Sequence, residues 1–353
     1  MGFNILKLFG LSSFAFFVGI FITPVLAHYL YKYKAWRKEE AQKAISGEKT
    51  TVVSELYKNR EHRQEKTPRM GGILIWLSTT LVALIFWFLY KTIGTPLTEK
   101  LNFISRSQTW LPLFTLVSAS IVGLVDDVLQ IRGKGKYIAG GLSLTKRIIL
   151  VSLIGLVGAT WFYFKLDIDS VLVPFLGEFN IGCLFIPFFV IVIVAVFSGG
   201  VIDGLDGLSG GIFASIFAAY AGIAFFQNQI DIATFCMVIT GSILAFLWFN
   251  IPPARFYMGE TGILGLTTTL TVIAFLTNSV LVLPIIAFPL VMASGSDIIQ
   301  ILSKKFRKKK VFHAAPIHHH FEAMGWPSYK VTMRFWVIGV VFAIIGMVIA
   351  LVG

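Results

Sequence analysis

Apolar residues come along this chain in long blocks separated by short polar stretches. The blocks cover roughly 9–31, 71–90, 111–130, 147–164, 182–199, 208–226, 231–249, 262–278, 280–299 and 332–352. Each approaches the roughly 20 residues that a helix needs to cross a hydrocarbon core of about 30 Å. The pattern therefore predicts an all-α, polytopic integral membrane protein with ten transmembrane helices, built as a single transmembrane domain over residues 1–353. The first block reads as a permanent span, because Pro24 and the bulky residues after it offer no small-residue cleavage site. No matching halves with interrupted helices, the mark of many transporters, are apparent.

Composition agrees. Hydrophobic residues make up 56% of the chain and charged residues 14%, with a mean hydropathy of +0.80, whereas soluble domains carry about 25% charged residues. The formal net charge of +12 then needs a location. Loops 32–70, 131–147, 200–207, 250–261 and 300–334 hold 25 of the 30 basic residues, and the alternate set holds only Lys7, Lys91, Lys100, Arg106 and Lys165. Positive loops stay cytoplasmic, so those five loops are expected inside and both termini outside. The basic excess is thus a topology mark and an anionic-lipid contact, as in Lys304–Lys310, with no nucleic-acid partner expected. Cys183 and Cys236 lie in apolar runs and lack the spacing of a disulfide framework or zinc site.

The acids are placed more selectively. Asp126 and Asp127 end the third block, Asp203 and Asp206 lie in Asp203-Gly204-Leu205-Asp206-Gly207, and Glu260 lies in Met258-Gly259-Glu260-Thr261-Gly262. All five fall on the predicted cytoplasmic side. Carboxylates gathered at one membrane face repel one another, and a Mg²⁺ ion completed by substrate phosphates would resolve this. Ordinary readings compete: helix-end acids for Asp126 and Asp127, though acids oppose the dipole of a C-terminal end, and an Asp-Gly turn for Asp203 and Asp206.

The last large loop carries Pro316-Ile317-His318-His319-His320-Phe321-Glu322. Three adjacent imidazoles cannot all enter one site, and phosphate or sugar contact is favoured over metal binding. Lys66-Thr67-Pro68-Arg69-Met70-Gly71-Gly72 brings cations to the same face, with positive-inside anchoring as the alternative. Arg132-Gly133-Lys134-Gly135-Lys136, continued to Lys146 and Arg147, suits either an anion loop or a flexible surface turn.

In order and spacing, these residues resemble the polyprenyl-phosphate N-acetylhexosamine-1-phosphate transferase superfamily. The matching stretches are Thr67–Gly72, Val125-Asp126-Asp127, Gly141-Leu142-Ser143, Asp203–Leu208, Asn250 with Met258–Gly262, and Pro316–Glu322, followed by Arg334-Phe335-Trp336. The His318-His319-His320 run with Phe321-Glu322 is most similar to the peptidoglycan branch. Members of that branch move phospho-N-acetylmuramoyl-pentapeptide from its UDP donor to undecaprenyl phosphate, giving lipid I and UMP.

The resemblance implies ten helices, a cytoplasmic cleft in the bacterial inner (plasma) membrane, Mg²⁺, a polyprenyl phosphate lipid, a UDP-sugar donor and a possible homodimer. It also implies roles. Asp126 and Asp127 would sit at the metal and lipid phosphate, Glu260 at a metal position, and Asp203 and Asp206 on the nucleotide side. His318, His319 and His320 would serve the donor, with Lys66, Thr67, Asn250 and Gln300 as further substrate contacts. The chain departs from the family pattern at Glu260, where an aspartate is usual, at Gly200 and Ile202, and before His62. Two rival functions remain: a transferase using UDP-N-acetylglucosamine or another UDP-N-acetylhexosamine, and a membrane transporter. The second suits poorly a chain whose spans hold almost no ionisable residue at their centres.

Overall fold

A computed structural model describes residues 1–36, 67–104, 107–133 and 141–353. Within them the chain forms α1 (Gly2–Lys32), α2 (Ile73–Ile93), α3 (Pro96–Leu101), α4 (Ser107–Ile131), α5 (Leu144–Lys165), β1 (Ser170–Val173), β2 (Gly177–Asn180), α6 (Phe185–Ser198), α7 (Leu208–Phe226), α8 (Ile230–Asn250), α9 (Gly259–Leu276), α10 (Leu283–Ile286), α11 (Phe288–Arg307), α12 (Ile317–Ala323) and α13 (Ser328–Val352). Among the described residues nine helices are long and apolar enough to cross a membrane, and a tenth span is a bent pair. The protein is therefore an all-α, multi-pass membrane protein, as its apolar blocks predict. Helices are the form in which a chain in lipid satisfies its own backbone polar groups.

Three features depart from the blocks. The 280–299 span is not straight: α10 and α11 meet at 81°. Pro284 and Pro289 each sit in the first turn of their helix, where a missing N–H is tolerated but a helix running through from the preceding turn would be broken. Between α5 and α6 the chain forms an antiparallel hairpin, with Ser170 opposite Asn180 and Val173 opposite Gly177. Its Pro-Phe-Leu-Gly turn and four-residue strands are too short to form an apolar block of their own. Finally, α9 begins at Gly259 rather than near 262, which puts Glu260 in a helical first turn.

The core is layered around α9. The fraction of each span buried is 94% for α9, 78% for α8 and 72% for α7, but 33% for α1, 28% for α5 and 22% for α13. The central helix is also the least apolar of these spans, because its threonines need no lipid. Thr267 and Thr268 return their hydroxyls to the carbonyls of Ile263 and Leu264, at 2.8 and 2.7 Å, so these two buried hydroxyls are satisfied. Phe162, Phe185, Phe189 and Phe275 pack ring to ring beside it, with Phe189 and Phe275 stacked at 4.4 Å.

Close backbone approach sets α9 against α4. A Cβ on Gly123 would lie 2.2 Å from the carbonyl oxygen of Glu260, so the absence of a side chain there lets the two helices touch. Asp126 and Asp127 follow one turn later on α4. Their position beside the first turn of α9 is a direct result.

Candidate active site

Three consecutive backbone N–H groups open α9, and carboxylates take all of them. Gly259 N–H donates to Asp203 at 3.3 Å, and Glu260 and Thr261 N–H donate to the two oxygens of Asp127 at 3.1 and 2.9 Å. The first turn of a helix has no internal acceptors for these groups and carries partial positive charge. That offsets the burial of Asp127, which is fully inaccessible. Gly259 itself has φ +73, and a Cβ there would meet an Asp127 oxygen at 2.6 Å, so both backbone and space demand glycine.

Asp126, equally buried, accepts from Gln130 Nε2 at 2.8 Å and from the Leu142 amide. It also pairs with Arg147, whose second guanidinium nitrogen reaches Glu260. The guanidinium thus bridges two acids on different helices, at 2.8 Å to Asp126 and 2.5 Å to Glu260. Arg69 extends the chain of contacts through Gln130 Oε1 at 3.3 Å. Its own segment is clipped to the loop before α9: Tyr257 N–H donates to Pro68, and Gly71 and Gly72 N–H donate to Tyr257 and Met258, each at 2.8 Å. Thr67 is buried at the start of that clip, while Lys66 lies outside the described residues.

Asp203 is partly exposed, accepts from Ser209 Oγ at 2.7 Å, and has its carboxyl pushed above the usual range. Burial is the main cause, and the Ser209 hydrogen bond and the charge of Arg69 oppose it. Over the Asp203-to-Asp206 turn stand two histidines. A Cβ on Gly204 would meet His318 Nε2 at 2.4 Å and His319 Nε2 at 2.9 Å. Glu322 holds His319 Nδ1 at 2.8 Å and is itself held by Ser328, which aims the other ring nitrogen at the turn.

Not every expected residue joins this group. His320 turns to His313: its Nδ1 accepts from the His313 amide at 3.2 Å and the rings stack. Burial, and to a lesser extent His313, lower its pKa. Gln300 spends its amide on the loop at Val311 and Phe312. Asn250 accepts from Gly207 N–H and donates to Phe256, and Asp206 accepts from Ala254 N–H at 3.2 Å. Within the described contacts these three side chains brace the loops that carry the site.

Arg147 lay in a stretch that the sequence left open between an anion loop and a surface turn, and its pairing with two acids was not foreseen. Its signal was available: a cation in the first turn of α5, after the Ser143 cap, opposes the helix dipole and so implies an acidic partner nearby.

For the Mg²⁺ that the resemblance implies, the donors fit on one side only. Asp126 and Asp127 give their oxygens to nitrogen donors, and among the described residues no three His, Cys, Asp or Glu side chains gather as an ion site. Glu260 and Asp203 also accept, from Arg147 and from Ser209 and Gly259 N–H, but they can be reached from outside. Glu260 keeps 23% of its side chain exposed and Asp203 is partly exposed, so they present hard carboxylate oxygens to a cation that substrate oxygens would complete.

Comparison with known proteins agrees with this arrangement. The model of Glycosyl transferase family 4 matches residues 109–278, the stretch that carries Asp126, Asp127, Arg147, Asp203 and Glu260. The phospho-N-acetylmuramoyl-pentapeptide-transferase of Dichelobacter nodosus is 36% identical over 302 residues, covering 80% of this chain and 79% of that relative. The one from Geobacillus sp. is 33% identical, covering 80% and 83%, and that of Anoxybacillus flavithermus is 31% identical, covering 96% of each. With the site's acids inside the matched region and its relatives spanning most of the molecule, the chain belongs to the phospho-N-acetylmuramoyl-pentapeptide-transferase family.

Proposed function

We propose that the protein transfers phospho-N-acetylmuramoyl-pentapeptide from its UDP donor to undecaprenyl phosphate, giving lipid I and UMP in peptidoglycan synthesis. The reaction runs at the cytoplasmic face of the bacterial inner membrane, with both termini outside. A lipid phosphate oxygen attacks the phosphorus that bears the sugar, and the bond to the UMP phosphate breaks. The lipid phosphate, whose second pKa is about 6, is already a nucleophile at neutral pH. The chief barrier is therefore bringing anions together.

The observation that carries this reading is the gathering of Asp126, Asp127, Asp203 and Glu260 with Arg69 and Arg147 around the first turn of α9. Arg147 and Arg69 lower the local negative potential. Asp126 and Asp127 hold Arg147 and the α9 amides in place. The Nε2 faces of His318 and His319 hydrogen-bond the donor's phosphates and sugar, while Asp203 serves the nucleotide side and Asp206 braces the loop that carries it. Mg²⁺, held by Glu260 and Asp203, would supply charge neutralisation of the diphosphate. A homodimer belongs to the same reading, and light scattering of the purified protein in detergent checks it.

The deciding measurement is UMP release by the purified full-length protein with undecaprenyl phosphate. We expect release with UDP-N-acetylmuramoyl-pentapeptide that EDTA abolishes and Mg²⁺ restores. Release with UDP-N-acetylglucosamine alone would overturn the donor, and release undiminished by EDTA would overturn the metal.

A further inference from the structure

At the end of the bundle opposite the carboxylates lies a cleft of about 410 Å³ between the start of α1, the end of α3, and the turn into α8. The 21 residues of α8 separate the two ends by about 30 Å at 1.5 Å per residue: Asn250 braces the active-site loops, and Asp231 faces the cleft. The lining includes Asn4, Lys7, Lys100, Asn228, Gln229 and Asp231. Lys7 is only 5% exposed, pairs with Asp231 at 2.6 Å and donates to the Asn102 carbonyl at 3.2 Å. A buried ammonium on a membrane helix is expensive, and such groups mark functional sites.

The sequence sharpens this. Only five basic residues fall in the loops and ends assigned to this side, and two of them, Lys7 and Lys100, line this one cleft. Asp231 balances Lys7. Lys100, exposed, lies over the Phe3 ring, and among the described lining residues its charge is then the surplus. Beside the cleft, α1 exposes Leu6 and Phe9, an apolar track running into the membrane from a cationic, amide-lined recess. A net positive recess with hydrogen-bond donors excludes a metal cation as its guest and suits a phosphate ester.

We propose that this cleft binds the phosphodiester headgroup of an anionic membrane phospholipid. The Lys100 ammonium and the amides of Asn4 and Asn228 take the phosphate oxygens, and an acyl chain lies along Leu6 and Phe9. The Lys7–Asp231 pair is the floor that holds α1 and α8 at the spacing the headgroup needs. This site stands apart from the transferase reading.

The test is native mass spectrometry of the full-length protein released from nanodiscs that contain equal phosphatidylglycerol and phosphatidylcholine. Bound phosphatidylglycerol is expected in excess by about fivefold, the effect of one surface lysine on an anionic lipid. Lys100→Gln removes that excess and Lys100→Arg keeps it. Lys165→Gln, an exposed lysine outside the cleft, leaves it unchanged, and UMP release is unaltered in all three. Lys100 is exposed, so thermal melting of its variants should match the parent. An excess unchanged in Lys100→Gln, or lost equally in Lys165→Gln, overturns the proposal. A Lys100-dependent rise in melting temperature with inorganic phosphate alone would overturn the lipid as its source.

Discussion

Arg147 joins two acids that would otherwise repel across a helix interface. Replacing it with methionine leaves the buried Asp126 and the facing Glu260 without their shared cation. Breaking such a pair costs about 3–5 kcal/mol, so Arg147→Met should melt well below the parent and lose nearly all UMP release. Arg147→Lys should recover only part, because an ammonium cannot present two parallel donors to two carboxylates. At Gly204 the expected outcome is the reverse in kind: Gly204→Ala should displace His318 and His319 and lower UMP release at least tenfold, with little change in melting temperature. Asp203 predicts a pH effect. Its folded pKa is raised, so the folded state holds the proton more tightly than the unfolded chain. Stability from this group is present below the ordinary carboxylate value of about 4 and is lost as pH rises through the folded pKa. In the ligand-free protein, Asp203→Asn should flatten the fall in melting temperature over that window. At this scale the sequence made the carboxylates and the histidine run visible, because acids and imidazoles at membrane boundaries are rare. It concealed which side chains reach the site and which brace loops. Gln300 and Asn250 are polar like substrate contacts, but their amides are matched to backbone groups brought close only by folding.

Among the elements, the meeting of α4 and α9 carries the site. Gly123→Ala would put a methyl against the Glu260 carbonyl, and overpacking of this kind costs about 1–3 kcal/mol. Melting temperature and UMP release should fall together. Gly295→Ala, in α11 with nothing within 4 Å of the added methyl, is the contrast. Relief of glycine's helix penalty should raise stability by about 0.5–1 kcal/mol, measured by the same melt. The apolar blocks marked where the spans lie, since hydrocarbon thickness dictates their length, although α1 starts seven residues before its block and α11 ends eight after. They were blind to the 81° bend, where prolines sit inside an unbroken apolar run, and to the hairpin, whose four-residue strands are too short to show a pattern.

For the molecule as a whole, the 25 basic residues of loops 32–70, 131–147, 200–207, 250–261 and 300–334 are expected to face the cytoplasm. With native Cys183 replaced by serine, a cysteine at Phe175, on the exposed turn of the hairpin, should react with an impermeant maleimide on intact cells. A cysteine at Lys309 should react only after the membrane is opened, and the opposite pattern would invert the topology. The layered burial has a further consequence for how the protein lives in a bilayer. Because α9 meets neighbouring helices along nearly its whole length, changes in hydrocarbon thickness act first on α1 and α13, which carry neither the site's acids nor Arg147 and tilt to match. The turn that holds the acids is mechanically insulated from lipid composition. The transferase should therefore keep an almost constant turnover in thin and thick membranes alike, although its outer helices lean differently in each.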